Sequence, residues 1–207
     1  IQNYRSIMTS ILKVDTIQDA DGNNIINESG NTITIGASGD TTNIVGTLQN
    51  DGAAVGGTNT PAFEATLGSN QTPSNDVNTL VVFDSERFDT ASAYNTSDGK
   101  FTPQTAGKYF VYGSIAGQST VNNGNLYKTT TMIYFNGSET RTQDIIGEAS
   151  QGVLHNRISV PTSGIFTFNG SSDYVQLYAN IQTYTGGDVS IQSNVLRTYF
   201  GAYKIIE

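Results

Sequence analysis

The chain has 207 residues, 18 of them acidic and 10 basic, a formal net charge of −8 and no cysteine. Disulfides, thiolate metal sites and a cysteine nucleophile are therefore excluded, and the lack of any Lys/Arg cluster argues against a nucleic-acid partner held through its phosphates. Charged residues make up only 14% of a chain that holds 22 glycines and is crowded with Asn, Thr and Ser, a composition suited to short strands and turns rather than charged amphipathic helices.

No stretch approaches the ~18 to 20 apolar residues of a bilayer span, so no membrane insertion is expected. Residues 1–20 lack the charged start and apolar run of a secretory signal. Along the chain, Ile11-Leu12-Lys13-Val14 reads as a short strand or one helical turn. Asp19-Ala20-Asp21-Gly22-Asn23 carries the oxygen ligands of a calcium loop but lacks the distal bidentate Glu of an EF-hand, which leaves a plain β-turn. Apolar pairs then recur at Ile25/Ile26, Ile33/Ile35 and Ile44/Val45, between Gly-containing turns at Ser29-Gly30, Ser38-Gly39 and Gly46. Units with two apolar side chains each cannot build a private core. They call for partners, most simply the same units of neighbouring chains. A flexible polar linker is the alternative, although β-branched pairs have no use in one. Residues 50–60, small and Gly-rich before Pro61, mark a boundary between an N-terminal segment, 1–57, and a C-terminal domain, 58–207.

Beyond the boundary the pattern is strand after strand. Leu80-Val81-Val82-Phe83 is a continuous apolar strand, and Lys108 to Ile115, Thr129 to Phe135, Ile165 to Phe168, Asp173 to Ile181 and Leu196 to Ile206 alternate or run apolar. Asn136-Gly137 and Asn169-Gly170 sit where strands should reverse, because Asn-Gly supplies the positive φ angles of a tight hairpin. No segment keeps a helical period over three turns, so the fold class is all-β. In the strand from Tyr174 to Ile181, alternation puts Val175, Leu177, Ala179 and Ile181 toward a core and Tyr174, Gln176, Tyr178 and Asn180 on the other face. Tyr174 and Tyr178 suit a wet protein interface or a sugar platform, or simply lie on a sheet surface.

One run of spaced residues stands out: Phe83, Asp89, Tyr94, Phe101, Gly107 and Tyr109. Its spacing resembles the pattern of the globular head of complement C1q, within the tumour-necrosis-factor-like jelly-roll superfamily. Val111 and Gly113 depart from that pattern, which continues with Phe and an aromatic. Pro61-Ala62-Phe63-Glu64-Ala65 is similar to the family's opening strand and Thr198-Tyr199-Phe200-Gly201-Ala202-Tyr203 to its closing one. The resemblance covers residues 61–206. It implies a two-sheet jelly roll with Phe83, Tyr94, Phe101, Tyr109, Val175, Leu177 and Phe200 in the core and Gly107 at a bend. It also implies a homotrimer about a threefold axis with an N-terminal stalk. In that stalk Ile25, Ile26, Ile33, Ile35, Ile44 and Val45 are the expected contacts between chains. The phrase Ser10-Ile11-Leu12-Lys13-Val14-Asp15-Thr16-Ile17 and the Asp-Gly and Asn-Thr-Ile-Thr-Ile-Gly units after it resemble the start of small fibre or structural proteins of tailed-phage virions.

Signs of catalysis are few. His155 is the sole histidine, its flank Val153 to Ile158 reads as a strand, and no Gly-x-Ser-x-Gly elbow is present. Asp84, Glu86 and Asp89 are carboxylates of the type a glycosidase pairs ~5 to 10 Å apart, but no long cleft-forming insertion accompanies them. Some relatives of the family bind calcium in head loops, for which Asp84, Asp89 and Asp98 are candidates by type only. No catalytic, cofactor or metal site is assigned. Segments 117–126 and 183–188, rich in Gly, Asn and Thr, are the exposed-loop candidates for recognition. The expected protein is thus a non-enzymatic phage virion component: a homotrimeric fibre or spike on the particle surface, assembled in the host cytoplasm. Its N-terminal segment binds other capsid or tail proteins and its head adheres to host-surface glycans. The alternatives are a capsid decoration or head-fibre protein that stabilises the particle, and a secreted C1q-like ligand or lectin.

Overall fold

Alternating and continuous apolar runs become strands in the computed structural model, which describes residues 16–18, 20, 22, 24–29, 32–36, 38–46, 48–50, 53–54, 59–120, 126–147, 155–184 and 186–205. No helix occurs among them, in agreement with the all-β reading. The chain divides into two units, Ile1–Gly56 and Gly57–Glu207. Ile11 to Val14, and Asp19, Asp21 and Asn23 of the predicted turn, lie outside the described residues.

In the first unit β1 (Thr16–Gln18), β2 (Asn24–Ser29) and β3 (Thr32–Ile35) form an antiparallel sheet in that order. A two-stranded ladder joins β4 (Gln49–Asn50) to β5 (Ala53–Ala54). Ile44 and Val45 fall in neither.

The second unit is a sandwich. Its strands are β6 (Ala62–Thr66), β7 (Thr79–Leu80), β8 (Ser85–Asp89), β9 (Tyr94–Asn95), β10 (Lys100–Phe101), β11 (Gly107–Ser119), β12 (Leu126–Phe135), β13 (Ser138–Ile146), β14 (Arg157–Phe168), β15 (Val175–Thr183), β16 (Val189–Ile191) and β17 (Tyr199–Lys204). Sheet I has the order β13-β12-β15-β10-β9 with β7 beside β15; sheet II has the order β14-β11-β17-β6-β8 with β16 beside β11. Inward-facing side chains from both sheets meet in one cluster, as aligned sandwich packing requires. At its centre the Phe63 ring stacks on Tyr94 (centroids 4.5 Å) and Phe101 (4.6 Å), with Phe200 edge-on at 5.1 Å.

The six spaced motif positions each have a distinct physical task. Phe83 and Phe101 are fully buried. Asp89 ties the turn ahead of β9 by accepting from the Tyr94 amide (2.8 Å) and the Ala91 amide (3.1 Å). Tyr94 buries its ring and donates its hydroxyl to the Phe83 carbonyl at 3.0 Å. Gly107 opens β11 with φ 139°, a conformation L side chains rarely adopt. Tyr109 is fully buried and donates to the Thr105 carbonyl at 2.7 Å, where burial pushes its phenol up to about 12. At the departure from the family pattern, a Cβ on Gly113 would stand 2.8 Å from Leu177 Cδ2, so the space an aromatic would take is filled from β15.

Some of the expected turns and strands hold and others need correction. Only Thr79–Leu80 pairs as a strand; Val81 and Phe83 are buried as a connector that crosses between the sheets, where apolar content alone looks like a strand. Asn136-Gly137 is the tight hairpin between β12 and β13, with φ of 51° and 79°. Asn169-Gly170 is no hairpin, because β14 belongs to sheet II and β15 to sheet I. There the Asn169 Oδ1 accepts from the amides of Ser171, Ser172 and Asp173 and so shapes a corner. Residues 117–119 continue β11 and are not loop, while 121–125 lie outside the described residues. The strand predicted at Ile165 begins at Arg157. Of the strand predicted from Val153 to Ile158, Arg157 and Ile158 belong to β14, His155 makes an isolated bridge with its carbonyl accepting from the Leu126 amide at 2.9 Å, and Val153 and Leu154 lie outside the described residues.

Candidate functional site

Alternation along β11 and β17 turns one set of side chains inward and the other out. The inward set is Tyr109, Val111 and Ile115 with Phe200 and Ala202, all buried. The outward set on the neighbouring strands is also aromatic: Phe110 and Tyr112 on β11, Tyr199 and Tyr203 on β17, paired by the registers Phe110↔Tyr203 and Tyr112↔Gly201. Phe110 lies 5.6 Å from Tyr203 and 6.0 Å from Tyr112, and Tyr112 lies 6.2 Å from Tyr199. Exposed Ile165 on β14 and Phe88 on β8 extend this apolar surface to both sides.

Tyr112 is held flat over β17 because position 201 is glycine; a Cβ there would meet its ring at 2.5 Å. Its hydroxyl thereby reaches β6 and donates to Glu64 Oε2 at 2.9 Å, while Arg87 Nη1 pairs with Glu64 Oε1 at 2.7 Å. Burial, and next the Glu64 carboxylate, raise the Tyr112 phenol above its ordinary range, so it stays a neutral donor. The face therefore carries one satisfied carboxylate within an aromatic field. A groove of about 640 Å³ continues it past Pro161 on β14 to Arg141 and Gln143 on β13.

A second cluster lies on the outward face of sheet I. Tyr134 on β12 and Tyr178 on β15 stack at 4.0 Å, and Tyr174 carries Lys100 Nζ over its ring at 4.6 Å. Asn136 braces Tyr174 by accepting from its amide (2.9 Å) while donating to Asp173 (2.9 Å). The Tyr134 hydroxyl lies 3.4 Å from both Asn78 Nδ2 and Glu139 Oε2. Burial, and next the neighbouring Tyr134 and Tyr174, raise the Tyr178 phenol. The expected wet strip is dry at its two amides. Gln176 and Asn180 are buried, the first donating to the Asp98 carbonyl at 2.8 Å and the second to Asn78 Oδ1 at 3.0 Å. Only the half-buried tyrosines remain as the platform.

The remaining candidates are spread out. Asp84 accepts from the Gly68 amide at 2.6 Å, Asp89 caps its turn, and Asp98 accepts from the Lys100 amide at 3.1 Å. Among the described residues no group of three or more His, Asp or Glu side chains is placed to hold a metal ion. Val175, Leu177 and Phe200 lie in the sandwich core, and Ile25, Ile26, Ile33, Ile35, Ile44 and Val45 are exposed on the first unit. The sheet II aromatic face was missed from sequence because Tyr109-Phe110-Val111-Tyr112 is apolar at every position. That continuity was itself the available signal, since one strand cannot bury both faces in a single sandwich.

The C1q domain family model matches residues 62–155. No curated protein matches the chain. Among solved structures, murine APRIL at pH 5.0 aligns at 9% identity with a TM-score of 0.51, covering 70% of this chain and 98% of that one. The Eiger TNF of S. frugiperda aligns at 11% identity with a TM-score of 0.51, covering 70% and 91%. With the strand order above, these likenesses make the second unit a jelly-roll sandwich of the C1q/TNF-like fold.

Proposed function

We propose that the protein is a homotrimeric, non-catalytic adhesion molecule whose heads pack through sheet II and bind ligand through sheet I. The observation that carries this reading is the outward aromatic face of Phe110, Tyr112, Tyr199 and Tyr203, half-buried except for exposed Tyr203, on a sandwich whose core is already filled. Contiguous exposed apolar area of this kind marks an interaction surface. In a threefold ring each copy's face packs heterologously against a different part of the next copy, and the ring closes when that rotation repeats three times. Three heads on one assembly raise weak attachment by ~10²- to 10⁴-fold through effective concentration.

The ligand that suits Tyr134, Tyr174 and Tyr178 is a surface glycan, whose C–H faces stack on tyrosine rings while its hydroxyls meet Asn78 and Glu139. The phage-like N-terminal phrase supports placing the trimer on a virion surface, as a fibre or spike attached to capsid or tail proteins through residues 1–57. The C1q match favours a second reading, a secreted ligand or lectin with the same trimeric head. A glycan array probed with the full chain tests the adhesion. Binding that disappears in Tyr178→Ala is expected, and an array blank for the native chain contradicts it. Immunogold microscopy of particles separates the two settings: label on fibres or capsids supports the virion, and unlabelled particles support the secreted ligand.

A further inference from the structure

The first unit carries a second unfinished surface, and its register shows which residues form it. The pairings Ile17↔Ile26 and Ile26↔Ile35 place one isoleucine from each of β1, β2 and β3 in a row across the sheet. Side chains two apart share a face, so Ile33, opposite Glu28 in the register, adds to the same side. The other side holds Ile25, Thr34 and Thr32 by the same parity. The row is bare in the single chain: Ile17 is 38% exposed, Ile26 37%, Ile35 55% and Ile33 67%. Among the unit's other described residues, Ile44, Val45 and Leu48 are exposed themselves.

We infer that the Ile17-Ile26-Ile35 row, with Ile33, is one wall of an interior shared by copies of this chain, with Ile26 of the central strand nearest the axis. Copies are the fitting occupant for two reasons. The Ile17-Ile26-Ile35 row takes one isoleucine from each strand and so runs across the full width of the sheet, and identical walls close on each other without a special cap. The heads, on the same polypeptide, carry their own outward aromatic face, so in the proposed trimer sister sheets are the apolar surface held at the highest local concentration. Ile25 belongs to the outer, polar side and is not part of this interior, which divides the adjacent pair Ile25/Ile26 between two roles. The inference deepens the homotrimer reading and takes its copy number from it.

The native chain has no cysteine, so one introduced thiol reports one position. Full-length Ile26→Cys, Ile35→Cys and Thr34→Cys are oxidised with copper-phenanthroline at concentrations where the native chain's mass has been measured by sedimentation. The expected result is a disulfide-linked dimer band for Ile26→Cys or Ile35→Cys and none for Thr34→Cys on the opposite side. A native trimer in which neither isoleucine variant cross-links overturns the inference alone, because something other than a sister sheet then covers or leaves bare the row. Equal cross-linking of Thr34→Cys overturns it as well. A native chain that sediments as a monomer removes the homotrimer reading and this inference together.

Discussion

The two units of this chain solve burial in opposite ways. The head stacks Phe63 between Tyr94 and Phe101, with Phe200 against its edge, and finishes a core from its own strands. The N-terminal unit spreads its isoleucines over a thin sheet and leaves every described one of them exposed. A sandwich supplies two faces that cover each other, whereas a lone three-stranded sheet has a face and nothing to place on it. The same logic reappears on the head's outer surface, where β11 and β17 carry aromatic side chains on both sides and, among the described residues, only the inward side joins the core cluster. What the two units share is therefore one feature, an apolar sheet face left at least partly exposed.

Four perturbations test the self-sufficiency of the head against the dependence of the exposed faces. The largest effect belongs to Phe63→Ala, which removes the ring at the centre of the aromatic stack and should cost about 3 to 5 kcal/mol in denaturant unfolding. A loss below ~1 kcal/mol would mean that the stack is not the structural centre. Next is alkaline pH. The folded chain holds the Tyr109 phenol protonated up to about 12, against an ordinary value near 10. A raised folded pKa contributes stability that is complete below the unfolded value and is lost as pH rises through the folded one. The unfolding free energy from urea titrations should stay level to about pH 10 and then fall, by up to about 2 to 3 kcal/mol at pH 12. Tyr94, raised in the same direction by burial, adds to that loss, and Tyr109→Phe should flatten part of it. Third, Gly113→Ala drives a methyl against Leu177 and should cost about 1 to 3 kcal/mol in the same assay. The smallest change in stability is expected for Tyr178→Ala, about 1 kcal/mol from the lost stack on Tyr134. Its main effect should show instead as lost glycan retention, with the melting temperature lowered by only about 2 to 4 °C. A variant that keeps full retention would move the ligand elsewhere.

What could be read from sequence was what short-range spacing dictates. Phe83, Asp89, Tyr94, Phe101, Gly107 and Tyr109 sit in fixed local geometry, each with a task that depends on its own side chain and a near neighbour: Asp89 on the Tyr94 amide, Tyr94 on the Phe83 carbonyl, Tyr109 on the Thr105 carbonyl. The hairpin at Asn136-Gly137 was legible for the same reason. Strand β13 was invisible because all of Ser138–Ile146 is exposed and only its ladder to β12 makes it a strand. Asn169-Gly170 looked like Asn136-Gly137, yet which sheet receives the next strand is decided by pairings far away in the chain. The outward tyrosines of β11 and β17 were hidden by the inward ones beside them. Polar Gln176 and Asn180 looked wet, but partners on distant segments, Asp98 and Asn78, dry them.

The claim on which this account rests is that copies of the chain complete the faces one chain leaves open. Sedimentation equilibrium of the full chain over a dilution series tests it most directly. A mass three times the 22.1 kDa of one chain, lowered to the single-chain mass by charge on the sheet II face in Phe110→Arg with Tyr112→Arg, is the predicted result. A native chain that stays at 22.1 kDa at every concentration contradicts it.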